Sequence, residues 1–227
     1  MKYKNTTVAT FLSRPNRFIG IVDIEGKEHT VHIKNTGRCK ELLKPNNLVI
    51  LEKSQNTLRK TQYDLVSVYK SSDMLINMDS QLPNQLVYDF LPRSGLFTDG
   101  ANVRREVTYG SSRFDIYVED GERKAFIEVK GVTLEQDGKC YFPDAPTERG
   151  VKHLNELINS ISDGYEAYVI FVIQFKNAKS LSPNDKTHPA FGNALREAYK
   201  RGVKLLAYDC IVEEDFVEIN NKINIIL

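Results

Sequence analysis

The sequence is poor in cysteine, and what it has is not arranged for chemistry. Cys39, Cys140 and Cys210 are odd in number and far apart, with no CxxC and no Cys/His cluster. That spacing speaks against a disulfide framework and against a zinc site. An excess of either charge is missing as well, since 31 basic residues face 30 acidic ones. Any nucleic-acid surface must therefore come from segregation of charge. No apolar run approaches the roughly 20 residues of a membrane span, and no signal-peptide pattern opens the chain. These features lead us to expect a cytoplasmic protein with no membrane partner. Internal repeats and low-complexity segments are absent too. What remains is a 227-residue chain with 41% hydrophobic and 27% charged residues, ordinary values for a globular protein of one large or two small domains.

Residues 1–80 read as a succession of short strands: TTVATFLSR, RFIGIVDIEG, EHTVHIKN, NLVILEKS and YDLVSVYKS. Apolar and polar positions alternate within them, and turn signals such as Arg14-Pro15-Asn16 and Glu25-Gly26-Lys27 separate them. Between the third and fourth, GRCKELLKPN has room for one or two helical turns before Pro45. Five strands with a short helix in that place fit a Greek-key barrel of the OB type. A barrel with no binding role fits the same pattern.

Composition changes near residue 80, and residues 81–227 are expected to form a second domain. PNQLVYDFL predicts a helix, followed by three strands, NVRREVTYG, RFDIYVED and RKAFIEVKGVTL, with turns at Gly110-Ser111-Ser112 and Asp120-Gly121-Glu122. Thr147 is placed to cap a helix whose apolar residues Val151, Leu154, Leu157, Ile158 and Ile161 recur at helical period. EAYVIFVIQF reads as a strand buried on both faces. HPAFGNALREAYKRG is a helix closed by Gly202, and VKLLAYDCIV is another buried strand. A meander joined to βαβ crossovers gives a mixed sheet flanked by helices.

Two of these strands carry an acid inside an apolar run: Asp115 in FDIYV and Glu128 in AFIEV, with Lys130 two residues on. Burying a carboxylate is costly unless something pairs with it, either a salt bridge or a metal ion. In a meander the two acids lie on neighbouring strands, and period-two geometry puts Glu128 and Lys130 on one face about 7 Å apart. Hard divalent ions are held by one or two carboxylates plus water and phosphate oxygens, so this combination suits phosphodiester hydrolysis. Three other acid-any-lysine triplets, beginning at Glu25, Glu122 and Asp137, contain Gly or fall at a turn and read as surface.

The pattern Asp115…Glu128-Val129-Lys130 in an αβββαβ context resembles the signature of the PD-(D/E)XK nuclease superfamily. The wider chain resembles the sugar fermentation stimulation protein A family, through RFIGIVDIEGKEHTVHIKNTGR, NMDSQLPNQLV, YGSSRFDIYVE, FIEVKGVTL, YFPDAPTERGVKHLNEL and GVKLLAYDC. The resemblance implies an N-terminal OB-like domain and a C-terminal restriction-endonuclease-like domain. It implies Asp115 and Glu128 as ligands of Mg2+ or Mn2+, with the Val129 carbonyl as a further ligand and Lys130 as the catalytic lysine. An acid on the first helix of this domain often joins such sites, and Asp89 is the candidate. Phe114 stands where a proline usually precedes the first acid. The implied activity is hydrolysis of DNA or RNA. The alternative is a non-catalytic DNA-binding regulator of sugar-utilisation genes.

Further candidates are weaker. Glu106, a strand acid near Arg104 and Arg105, and Gln174, at the end of VIFVIQ, are accessory candidates; solvated positions would explain both. Arg113, Arg149 and Lys152 are candidates for phosphate contact. His153 is not at ligand spacing. Tyr141, Phe142 and Pro143 either stack on a base or pack, and Asp144 is a spare acid in the same loop. In the first domain Arg14, Arg17, Lys34 and Arg38 fall near turns among Phe11 and Phe18, as in barrels that bind single strands. Asn35-Thr36-Gly37-Arg38 could present backbone N–H groups to an anion. Open strand edges leave room for a homodimer.

Overall fold

The computed structural model describes residues 1–35, 37 and 39–227. The first six strands are β1 (Thr6–Asn16), β2 (Ile19–Ile24), β3 (Lys27–Ile33), β4 (Leu48–Lys53), β5 (Tyr63–Ser71) and β6 (Met74–Asn77). They pair in the order β3-β2-β1-β4-β5-β6, and a short parallel pairing of β3 with β5 closes β1–β5 into a five-stranded barrel. Alternation drives the closure: Val22, Val31, Ile33, Val49, Leu51 and Leu65 all turn inward and are buried. Among the described residues before Pro45 no helix forms. Leu42 and Leu43 N–H both bond the Cys39 carbonyl, at 3.1 and 2.9 Å, and the segment stays a set of turns. A stretch that short cannot repay helix nucleation. Strand β6 was not anticipated; its four residues carry too little pattern.

Next come α1 (Leu82–Phe90), β7 (Asn102–Tyr109), β8 (Ser112–Asp120), β9 (Arg123–Val132), β10 (Glu135–Gln136) and β11 (Lys139–Phe142). The chain continues through α2 (Glu148–Ser162), β12 (Glu166–Ile173), β13 (Ser180–Pro183), α3 (Pro189–Lys200), β14 (Lys204–Val212) and β15 (Val217–Lys222). A six-stranded mixed sheet runs β15-β14-β12-β9-β8-β7, with β9, β12 and β14 parallel and β7, β8 and β9 antiparallel. Strand β12 lies between two parallel neighbours, and every residue after its first is buried, as a strand covered on both faces requires. The minor sheet β10-β11-β13 and strand β15 were not foreseen.

Helix α2 begins where Thr147 Oγ1 accepts from Gly150 N–H at 3.0 Å. A side chain at Gly150 would come within about 3 Å of Thr147 and Phe191, so glycine lets α2 approach α3 at this point. The chain divides into two units, Met1–Leu82 with Gln174–Lys176 and Cys210–Glu218, and Pro83–Ile173 with Asn177–Asp209 and Ile219–Leu227. A boundary at residue 80 misses the two later segments that join the first unit. No helix among the described residues is long and apolar enough to cross a membrane.

Candidate active site and its basic hollow

Strands β8 and β9 pair from Asp120 opposite Arg123 to Ile116 opposite Ile127, so the next residues on the same register are Asp115 and Glu128. At Asp115 a side chain takes over from the ladder: its Oδ2 accepts from Val129 N–H at 2.8 Å. Its Oδ1 accepts from Asn84 Nδ2 on α1 at 2.8 Å. On the other side of β8, Glu106 lies between the paired positions Arg105 and Val107 with a positive φ of 56°. That left-handed conformation strains a non-glycine residue in a strand, and such strain gathers at functional sites.

Glu128 is 2% exposed. Its Oε1 accepts from Lys130 Nζ and from His153 Nδ1, both at 2.5 Å. Its Oε2 is buried with no hydrogen-bond partner. Burial works to raise the Glu128 pKa, but the His153 hydrogen bond and the Lys130 ammonium outweigh it and hold the carboxyl below its ordinary value. Asp115 goes the other way: burial and then the neighbouring Glu128 charge push it up, and the Val129 N–H and Lys130 only partly compensate. The cluster thus has more negative charge than its own cations settle.

His153 was not expected here. It sits on the buried stripe of α2 with Gly150, Leu154 and Leu157, where a histidine needs a partner; that was the available signal. Arg149 Nε points at His153 Nε2, 3.3 Å away. A guanidinium can only donate, so Nε2 is the acceptor and Nδ1 carries the proton given to Glu128. Asn84 left no signal in the sequence, because helix phase decides which α1 side chain reaches the sheet. Asp89 is exposed and accepts from Gln85 Nε2 at 2.7 Å, so it does not join the cluster. Five helical residues separate it from Asn84, about 140° around the axis.

A hollow of about 460 Å3 adjoins this cluster through His153. Arg113, Arg149 and Lys152 line it together with Ser111 and Ser112, so these three basic candidates do converge. Arg113 also lies 3.6 Å from Glu106 in an exposed ion pair, which accounts for Glu106 as a surface acid. Gln174 is buried, not solvated: its Nε2 donates to Asn77 Oδ1 at 2.9 Å and to the Asp79 carbonyl at 3.1 Å, so its amide nitrogen is engaged within the first unit. Phe142 packs against Phe171 and Phe191, with ring centroids 5.7 and 5.1 Å apart, and Asp144 is exposed.

In the barrel, Lys34 is consumed by acids. Its Nζ lies 3.1 Å from Asp79, 3.8 Å from Glu52 and 4.0 Å from Asp64. Arg14 Nη2 donates to the carbonyls of Arg17 and Asn35 at 2.8 and 2.9 Å. Arg17 is exposed and lies 5.9 Å over the Phe18 ring, itself 48% exposed. Arg38, with Thr36 of the suggested anion turn, lies outside the described residues.

A closed five-stranded barrel followed by a helix-flanked mixed sheet with a buried carboxylate–lysine centre defines a two-part architecture, and known proteins share it. Residues 12–78 match the SfsA N-terminal OB domain, and residues 81–216 match the sugar fermentation stimulation protein RE domain. A sugar fermentation stimulation protein homolog of Ruminiclostridium cellulolyticum is 53% identical over 225 residues, 99% of each chain. One from Clostridium beijerinckii is 51% identical over 227 residues, 100% of each. The solved structure of Pyrococcus furiosus SfsA in complex with Ca2+ superposes with a TM-score of 0.90 at 26% identity, covering 100% of this chain and 98% of that one. The chain belongs to the sugar fermentation stimulation protein family.

Proposed function

We propose that this protein is a divalent-metal-dependent nuclease of the PD-(D/E)XK type that hydrolyses phosphodiester bonds in DNA or RNA. One observation carries the reading: a carboxylate oxygen of Glu128 is buried without a partner, beside Asp115 and Lys130. A bare buried acceptor costs about 1–3 kcal/mol, and more when charged, unless a cation or donor arrives. Mg2+ or Mn2+ held by Asp115 and Glu128, with the Val129 carbonyl as a further ligand, fits that need. Among the described residues no group of three His, Cys, Asp or Glu side chains is placed to hold a metal. The remaining ligands would be water and substrate oxygens, as is usual for Mg2+. The Pyrococcus furiosus relative is described in complex with Ca2+, another oxygen-seeking cation, which supports the same preference here.

The bound ion would act as a Lewis acid on the phosphoryl oxygen and activate water. The chain's own groups do the rest. Asn84 and Val129 N–H fix the Asp115 carboxylate, and His153 and Lys130 fix Oε1 of Glu128. Lys130 Nζ, on a side chain 16% exposed, supplies a positive charge for the phosphate. In the barrel, Arg17 with the exposed Phe18 offers a charge and a stacking face to a strand. The test is cleavage of labelled single- and double-stranded DNA and RNA with Mg2+, Mn2+ or EDTA. Metal-dependent cleavage lost in Lys130→Ala is the expected result. Binding without cleavage, indifferent to metal and to Lys130, would replace this reading with that of a DNA-binding regulator.

A further inference from the structure

The hollow beside His153 is built, not incidental. The β7–β8 hairpin turns at Gly110 and Ser111, and this turn is tied to α2: Lys152 Nζ donates to the Ser111 carbonyl at 2.7 Å, and Ser111 Oγ donates to Glu156 at 2.9 Å. The tie brings Arg113 on β8 and Arg149 and Lys152 on α2 around one space. A second feature is independent of charge. Ser112, which lines the same space, is 4% exposed, and its hydroxyl is buried with no partner. A native protein seldom leaves a buried hydroxyl unused, because desolvation is then uncompensated. The sole acid in the lining, Glu148, is 87% exposed at its side chain and already accepts from His188 at 3.1 Å.

We infer that this hollow is a subsite for one phosphate group of a nucleic-acid strand, separate from the phosphate to be cut, held by Ser112, Arg149 and Lys152 with Arg113 at its rim. The inference rests on the proposed nuclease reading only for where the phosphate comes from. Three donor types meet there that suit a tetrahedral oxyanion: a planar guanidinium, an ammonium and a hydroxyl. The position also couples the two sites, since Arg149 touches His153 and His153 holds Glu128. A phosphate seated on Arg149 steadies the imidazole that orients the metal-binding carboxylate.

The experiment is thermal unfolding in EDTA, with inorganic phosphate compared with chloride at equal ionic strength. Wild type is expected to gain stability in phosphate. Ser112→Ala removes a hydroxyl that bonds nothing in the free protein, so it should unfold no earlier than wild type without phosphate, yet lose most of the phosphate-induced rise. A merely structural serine would not separate those two readings. Lys130→Ala should keep the full rise, so failure of the nuclease reading and failure of the subsite remain distinct. The rise staying intact in Ser112→Ala, or being absent from wild type, overturns the subsite. Binding of single strands in EDTA then identifies the source. Arg149→Ala should weaken it roughly tenfold, as loss of a charge-assisted contact does, and lower the salt slope by about 0.7. Tighter binding of a strand phosphorylated at one end assigns a terminal monoester. Equal binding of both strands, lost equally in Arg149→Ala, assigns an internal phosphodiester, and equal binding by wild type and Arg149→Ala overturns the subsite.

Discussion

Lys34 in the barrel and Lys130 in the second unit both reach into buried carboxylates, but the two clusters are finished differently. In the barrel, Asp64 takes Arg59 on both oxygens, at 2.7 and 2.9 Å, and His32 at 2.9 Å. Asp79 takes Lys34 at 3.1 Å on one oxygen and Gln81 N–H at 3.0 Å on the other. Burial alone would raise the Asp64 pKa, yet Arg59, His32 and Lys34 outweigh it and hold the group below its ordinary value. Around Lys130, Asp115 is raised and one oxygen of Glu128 has nothing to accept. The first cluster is closed within the protein. The second keeps a buried oxygen without a partner, the opening that the proposed metal ion would fill.

The comparison can be broken at either end. The largest effect expected is on turnover: Lys130→Ala should lower the cleavage rate by about 10^2–10^3, the usual loss when one stabilising donor is removed. Lys34→Met should leave that rate unchanged, and either substitution should cost about 3 kcal/mol in urea unfolding in EDTA because it leaves a buried acid uncompensated. Addition of Mn2+ at a hundredfold excess over its Kd should stabilise wild type by about 2.7 kcal/mol. Asp115→Ala should lose that gain and Lys34→Met should keep it; equal gains in wild type and Asp115→Ala would erase the distinction drawn here.

The smallest effect concerns a third network. Glu166, bonded to Arg123 at 2.8 Å and to Lys204 at 2.7 Å, joins three adjacent strands at the far end of β9. The Arg123 hydrogen bond, followed by those from Lys204 and Tyr168, overcomes burial and lowers its pKa from 4.5 to about 2. Its contribution is therefore complete above pH 4.5 and is lost as pH falls towards 2. Acid unfolding of Glu166→Gln should show a shallower fall across that window.

Asp115, Glu128 and Lys130 could be found in the sequence because an acid inside an apolar strand contradicts its surroundings, and strand alternation says which face it takes. The five barrel strands were legible for the same reason. Asn84 was not, since packing and not its own residues decides which α1 side chain reaches the sheet; His153 lay on the apolar stripe of α2, a signal that a search for ligand spacing passes over. Asp89 shows the cost: the right helix, one turn and a half from the residue that reaches Asp115. Lys34 shows another limit, because a lysine near a turn looks alike whether it meets solvent or three acids. Strands of two to four residues, such as β10 and β13, exist through their partners and leave almost no periodic trace.

The first unit holds Gln174–Lys176 and Cys210–Glu218, and those later residues supply partners that its beginning needs. Tyr3 N–H bonds the Asp215 carbonyl at 2.7 Å, and the Asn77 side chain is met by Gln174 at 2.9 Å. On the ribosome the barrel segment emerges first and β3 can pair with β5, but the Met1 ammonium lacks its carbonyl partner until residue 217 has been made. Nascent chains would thus carry a barrel whose first residues are unanchored until those later segments follow. Cutting the gene after codon 80 would yield a fragment with the barrel's strands and without the later residues that bond Tyr3 and Asn77.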